Sequence, residues 1–191
     1  MVEGRSGITN NTPKRIMFGA GTIHKGLTYT EGTGWNFAES LVGATNGGSK
    51  FSITPEIYKI AMDGANVNVK GLSVKVSELA EMEVNFGEFS KDLLTSAVLG
   101  ELGISEDAAY DLITSKADIE EGDYWDNIAF VGRTVEGDNI IVILENALCT
   151  SGFSSEGKAK AEGVATLKFE CYQTLDGDHD KLPYKIYLPK E

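Results

Sequence analysis

Apolar and polar residues alternate along much of the chain, and this period-two pattern is typical of strands that bury one face. The alternation covers residues 51–54, 67–70, 72–77, 81–86 and 165–172. Gly64 and Gly71 divide the early segments where turns are expected. The pattern therefore predicts half-buried antiparallel strands, with a last short strand at 184–188.

Two later segments are apolar at every position rather than at every second one. They are residues 128–131 and 140–144, and a turn-forming Glu-Gly-Asp-Asn cluster at 136–139 lies between them. Strands of this kind are too apolar to face water on either side. We therefore expect a hairpin in the middle of the core.

One segment has helical rather than strand periodicity. Ser90 is a good N-cap residue, and Asp92 lies in the first turn, where the helix dipole favours an anion. Phe89 and Leu94 occupy the positions of a hydrophobic staple. These signals predict one short helix over residues 91–99.

Together these elements predict a mainly β fold with one short α-helix, an antiparallel β-sandwich or barrel. The chain has 191 residues, of which 41% are hydrophobic and 24% charged, which suits a single domain, 1–191, with an ordinary core. No apolar run approaches the roughly 20 residues of a membrane-spanning helix. We therefore expect no membrane partner.

Three stretches do not have the pattern of a core: residues 1–14, 29–49 and 150–163. The first is predicted to be an N-terminal arm, and the second a projecting Gly-rich loop that docks on a neighbouring subunit. A loop that folds back on its own core is the alternative, and both interpretations stay open. The candidate assembly interface consists of the apolar residues of this loop: Trp35, Phe37, Leu41 and Val42.

Motifs for nucleotide binding and nucleophilic catalysis are incomplete. Residues 19–21 resemble the start of a dinucleotide-binding loop, but His24 stands at the third glycine position. The second histidine, His179, lies far away in the sequence. Cys149 and Cys171 have neither zinc nor redox spacing, so we expect them to be small core residues. The sequence predicts no cofactor and no enzymatic activity.

One acidic cluster has the spacing of a calcium loop. Asp176, Asp178 and Asp180 stand at its first, third and fifth positions. Lys181 replaces the glycine that such a loop needs, and Tyr187 replaces its bidentate glutamate. We therefore predict a solvated acidic turn and no metal site, and a metal-dependent enzyme is the less favoured alternative.

The charge of the chain is strongly negative and unevenly distributed. With 29 acidic and 17 basic residues the net charge is −12, which disfavours binding of nucleic acid through phosphates. Residues 101–126 contain nine acids and one lysine, a net charge of −8. An acidic face at Glu120, Glu121 and Asp123 is the candidate site. It is either an ordinary solvated surface or a wall that keeps DNA at a distance.

An ordered set of short segments resembles the major tail tube proteins of long-tailed bacteriophages and prophages. The segments are 11–13 (NTP), 16–22 (IMFGAGT), 41–48 (LVGATNGG), 62–64 (MDG), 69–72 (VKGL), 124–132 (YWDNIAFVG) and 143–148 (ILENAL). None of them is a catalytic signature, so the resemblance depends on their order. It extends over nearly the whole chain.

The resemblance implies a structural protein of the virion tail, made in the cytoplasm of the bacterial host. Such proteins are β-sandwiches or barrels with a flanking helix, and they form hexameric rings that stack into a hollow tube. DNA passes through the tube during ejection without specific binding. The implied partners are copies of the same chain, the tape measure protein and the tail terminator, and the family has no active site.

Two alternatives remain open on the sequence. A tail terminator or head–tail joining protein would share the fold but would form a ring that does not elongate. A small-ligand-binding β-barrel module is the alternative from another functional class, because apolar central strands can enclose a pocket.

Overall fold

The computed structural model describes residues 7–157, 159–160 and 162–190. The helices are α1 (Thr12–Arg15), α2 (Phe37–Ser40) and α3 (Lys91–Val98), with one 3-10 turn at Glu121–Asp123. The strands of the first half are β1 (Met17–Lys25), β2 (Tyr29–Thr30), β3 (Gly34–Trp35), β4 (Thr45–Lys59) and β5 (Ser73–Phe86). Those of the second half are β6 (Gly100–Gly103), β7 (Leu112–Ser115), β8 (Trp125–Thr134), β9 (Asn139–Cys149), β10 (Ala165–Cys171) and β11 (Tyr184–Tyr187).

Seven of the strands form one antiparallel sheet. Its order is β1-β8-β9-β10-β5-β4, and β11 pairs with β9 beside β10. Two small hairpins, β2–β3 and β6–β7, form separate two-stranded sheets. The predicted mainly β, antiparallel fold is confirmed, and no closed barrel is found among the described residues.

The predicted central hairpin is confirmed as β8 and β9, which are buried on both faces. Ile128 and Phe130 point into the larger core cluster, together with α3 and the inner halves of β5 and β10. Ala129 and Val131 point to the opposite face, into a smaller cluster with Leu27. The sheet therefore separates two apolar layers.

The predicted helix is confirmed as α3. Its first turn is capped by Ser90 Oγ, which accepts a hydrogen bond of 3.2 Å from the Leu93 amide. Leu93 and Ala97 are buried on the sheet. The indole N–H of Trp125 donates to Ser96 Oγ over 2.7 Å, so the helix is tied to the first residue of β8.

The glycines at 19–21 belong to β1 and form no nucleotide-binding loop. β1 has an irregularity between Phe18 and Thr22, and Gly21 there has a φ of 69°. A Cβ at this position would lie 2.4 Å from the ring of Phe130 and 2.9 Å from the Val131 carbonyl oxygen. Glycine is therefore required by close approach of two strands.

The prediction of a strand at residues 67–70 is wrong. Those residues lie in the irregular connection between β4 and β5, where the chain reverses direction. Gly64 and Gly71 have φ values of 86° and 95°, a conformation that side chains disfavour. The alternation of Val67 and Val69 thus continues through a turn region, although no strand forms there.

The terminal and loop predictions have mixed outcomes. Residues 1–6 of the predicted N-terminal arm lie outside the described residues, residues 7–11 are exposed, and α1 contacts β8. Cys149 and Cys171 are buried free thiols, as predicted. None of the helices that the structure describes is long and apolar enough to cross a membrane.

Candidate assembly surfaces

The segment 29–49 folds back on the body of the protein instead of projecting as a loop. β2 and β3 pair with each other, α2 follows, and residues 45–49 are already part of β4. Trp35 and Phe37 pack against the smaller core cluster, and Val42 packs against the larger one. Only Leu41 of the candidate interface has an exposed side chain, with 51% of its surface accessible.

Aromatic contacts and amide hydrogen bonds hold this segment in place. The ring of Trp35 lies 5.1 Å from that of Tyr187 and 5.4 Å from that of Tyr29, in edge-to-face arrangements. Asn36 Oδ1 accepts from the Thr28 amide over 2.8 Å, and its Nδ2 donates to the Gly26 carbonyl over 3.3 Å. The segment is therefore a cover over the outer face of β8 and β9.

His24 links the cover to β1. It is only 2% exposed, and its two ring nitrogens lie 2.9 Å from Ser40 Oγ and 2.8 Å from Thr22 Oγ1. Ser40 Oγ donates to the Asn36 carbonyl, so it accepts from the N–H of His24 Nδ1. Burial lowers the pKa of His24, and a backbone hydrogen bond at Phe37 offsets only part of this effect.

The hydrogen bonds of His24 argue against nucleophilic catalysis at this position. A nucleophilic serine must donate its proton to the histidine, whereas Ser40 donates to a carbonyl oxygen. A cleft of about 510 Å³ lies beside His24 and is lined by Phe18, Phe37, Leu41 and Arg133. Most of the cleft lining is apolar, although Thr22 and Asn139 also line it, and both ring nitrogens of His24 are hydrogen-bonded to partners within the chain.

The outer part of the β4–β5 hairpin leaves the main sheet. β10 pairs with β5 only up to Glu81, and beyond Ile53 and Ala80 the two strands pair only with each other. We call residues 57–77 the hairpin arm. Eight of its apolar side chains are 40–77% exposed: Ile57, Tyr58, Ile60, Met62, Val67, Val69, Val74 and Val76.

The exposed apolar side chains lie on both faces of the hairpin arm. Tyr58 pairs with Val74, and these two share a face, whereas Ile57 lies on the opposite face. β4 is the last strand of the sheet, so its outer edge also has no partner among the described strands. A two-stranded hairpin of this kind is marginally stable in water, and its open edge favours pairing with another chain.

A second exposed hairpin consists of β6, β7 and the residues around them. We call residues 100–121 the acidic hairpin, since this range holds seven acids and one lysine. It contacts α3 through β6 and presents apolar side chains to solvent. They are Leu102, Ile104, Tyr110, Leu112 and Ile119, of which Ile104 is 96% exposed.

The predicted acidic face at Glu120, Glu121 and Asp123 is largely a local structural unit. Asp123 is buried and accepts hydrogen bonds from the Glu120 amide over 2.8 Å and from Lys116 Nζ over 2.7 Å. Glu120 lies 3.3 Å from the same Lys116. Burial opposes the charge of Asp123, but these two donors prevail and lower its pKa. Of the three, Glu121 alone has no ion-pair or side-chain hydrogen-bond partner within the described part of the chain.

The predicted acidic turn near the C-terminus is organised by its own side chains. Asp178 forms an ion pair of 2.8 Å with Lys181 and accepts a hydrogen bond from the Asp180 amide over 3.1 Å. Gln173 Nε2 donates to the carbonyls of Asp178 and Lys181. No group of three or more metal-binding side chains comes together among residues 7–157, 159–160 and 162–190.

The two exposed hairpins differ in charge. The hairpin arm has three lysines and one acid, a net charge of +2, whereas the acidic hairpin has a net charge of −6. Lys75 is paired with Glu78 over 2.9 Å, and Lys91 pairs with Asp111 of the acidic hairpin over 3.3 Å. Lys59, Lys70 and most of the acids have no ion-pair partner among the described residues.

Comparison of the sequence with models of protein families and with curated proteins finds no significant match in either set.

Proposed function

We propose that the protein is a structural subunit that assembles with copies of itself into the tail tube of a bacteriophage or prophage. The observation that carries the proposal is the hairpin arm, whose two apolar faces and open edge are exposed while the central strands β8 and β9 are buried on both faces. Contiguous apolar surface of this kind marks protein–protein contacts. The resemblance of the ordered sequence segments to tail tube proteins is the reason for proposing a tube as the form of the assembly.

Under this proposal the seven-stranded sheet with α3 is the tail-tube β-sandwich. Subunits join head to tail through two different surfaces, a geometry that closes into rings or continues as a filament. The open edge of β4 supports such contacts, because an added strand would satisfy its free backbone groups. Hexameric rings stacked on one another would then form the conduit for DNA.

The charge of the chain supports the role of a conduit. A six-fold ring carries six times the net charge of −12, because each chain has 29 acidic residues against 17 basic ones, and such an excess disfavours binding of phosphates. Repulsion from such a wall would keep DNA mobile during ejection. The proposal includes no catalytic step and no cofactor, and other tail proteins would contact the tube only at its lumen and ends.

Sedimentation velocity over a concentration series, with negative-stain microscopy of the concentrated protein, tests the proposal. We expect ring-sized species at moderate concentration and hollow tubes at high concentration. Rings that never elongate would indicate a terminator or joining protein instead. A monomer at every concentration would overturn the proposal and leave the ligand-binding alternative, for which the cleft beside His24 is the place to examine.

A further inference from the structure

The two exposed hairpins fit one another, and we infer that the hairpin arm of one copy docks on the acidic hairpin of a second copy. The inference rests on the proposed function in requiring self-assembly, and it goes further by naming the two contacting surfaces. Among the described residues the exposed side chains of both surfaces are left uncovered, since the acidic hairpin contacts mainly α3 and the strands of the arm pair only with each other.

The arm brings apolar surface together with free positive charge. Tyr58 and Val74 form a cross-strand pair on one face, and Val67 at the end of the arm is 77% exposed. Lys59 and Lys70 lie at the two ends of the connection between β4 and β5, and neither forms an ion pair with a described residue. With Asp63 as the single acid of residues 57–77, the arm therefore combines exposed apolar side chains with a net charge of +2.

The acidic hairpin has the complementary composition. Ile104 is almost fully exposed and Tyr110 is largely exposed, and both lie in the connection between β6 and β7. Glu101, Glu106 and Asp118 flank them and have no ion-pair partner among the described residues. An apolar centre with an acidic margin matches the apolar, basic arm, as expected of a desolvated core surrounded by charged residues.

Charge complementarity indicates a second copy as the occupant. In a chain of net charge −12 the arm is a locally positive region of +2, so the acidic hairpin of another copy attracts it while the remaining surface repels it. The two surfaces differ, so the contact is heterologous, and each copy can use both surfaces at once. Such a contact propagates from copy to copy.

Reciprocal charge reversal tests the inference. The arm variant combines Lys59→Glu with Lys70→Glu, which changes the net charge of the arm from +2 to −2. The acid variant replaces four acids of the acidic hairpin by lysine, which changes its net charge from −6 to +2: Glu101→Lys, Glu106→Lys, Asp118→Lys and Glu121→Lys. Each variant alone brings like charges together at every contact, so we expect its association to weaken at least about tenfold. In an equimolar mixture each altered arm meets an altered acidic hairpin of opposite charge. The mixture is therefore expected to assemble as the original protein does.

The control variant combines Lys160→Glu with Lys190→Glu. It makes the same change in net charge as the arm variant, and both positions are exposed and outside the two surfaces. Circular dichroism and thermal melting check that all variants fold. Because a charge contact is screened by salt, the difference between the arm variant and the control variant should shrink as salt is raised. This salt series on folded protein gives a second, independent measurement.

The outcomes separate the inference from the proposed function. Weak single variants with a restored mixture support the inference, even if the assembled species is a short oligomer and the tube proposal fails. Assembly of the arm and acid variants as readily as the control overturns the inference and leaves the tube proposal standing. Loss in both variants without restoration in the mixture also overturns it. A protein that remains monomeric at all concentrations overturns both.

Discussion

The β8–β9 hairpin and the hairpin arm are both antiparallel, apolar and joined by a turn, yet one is buried on both faces and the other on neither. Ile141 and Ile143 of β9 are covered by Trp35 and Phe37, and Val142 and Leu144 are covered by the larger core. Ile57 and Tyr58 of the arm have no such cover. Apolar content alone therefore does not decide burial, because a strand needs another layer to pack against.

Removal of an isoleucine side chain should give the largest contrast between the two hairpins. Ile141→Ala in β9 leaves a cavity and should lower the free energy of unfolding by roughly 2–5 kcal/mol. Ile57→Ala in the arm is the matched control and should change it by less than about 0.5 kcal/mol, because its side chain is already exposed. Denaturant melts of the two variants measure the difference. Equal losses would contradict the contrast in burial.

Removal of one aromatic ring from the cover should expose part of one face of β9, as the faces of the hairpin arm are exposed. Trp35→Ala takes away the ring that contacts Tyr187, and we expect a loss of about 1–3 kcal/mol, less than for a fully buried tryptophan. The thermal midpoint checks this expectation. Leu41→Ala is the control in the same segment, since its side chain is half exposed. An unchanged midpoint for Trp35→Ala would mean that the segment is not part of the core.

Loss of the buried acid next to β8 should cost more stability than loss of an exposed acid at the end of the acidic hairpin. Asp123→Ala removes the acceptor of the Glu120 amide and of Lys116, at a cost of about 0.5–2 kcal/mol. Glu121→Ala, two residues earlier, should cost almost nothing. Chemical denaturation of both variants gives the comparison. If Asp123→Ala is as stable as the original protein, this acid is part of the solvated surface after all.

The smallest effect concerns the pH dependence of the cover. The pKa of His24 is lowered in the folded protein, so folding favours the neutral imidazole. Its stabilising contribution is complete above the ordinary pKa of 6.5 and is lost as pH falls from there towards the lowered value. The variant His24→Gln has no imidazole at this position, so its free energy of unfolding should not show this loss between about pH 7 and 5. The free energy of unfolding of both proteins, measured over that pH range, tests this prediction. If it changes with pH equally in both proteins, His24 is not the source of the pH dependence.

The contrast between the hairpins also shows which predictions a sequence supports. Residues 81–86, 128–131, 140–144 and 165–172 are strands as predicted, and the helix after Ser90 is capped as its residue types indicate. The prediction of a strand at residues 67–70 is wrong, because the same alternation of apolar and polar residues occurs there in a turn region next to Gly71. The cover was open to two interpretations, and its partner Tyr187 lies too far along the sequence to be inferred from any local pattern.

The sequence by itself determined the β-rich class, the capped helix, the two-sided central hairpin and the acidic stretch. These follow from side-chain periodicity and short-range capping, which are local properties of the chain. Only the tertiary structure decided that Trp35 is covered, that the hairpin arm is exposed, that Lys116 binds Asp123 and that Ser40 meets His24. Burial and pairing depend on which distant element packs against a residue, and no local pattern specifies that partner.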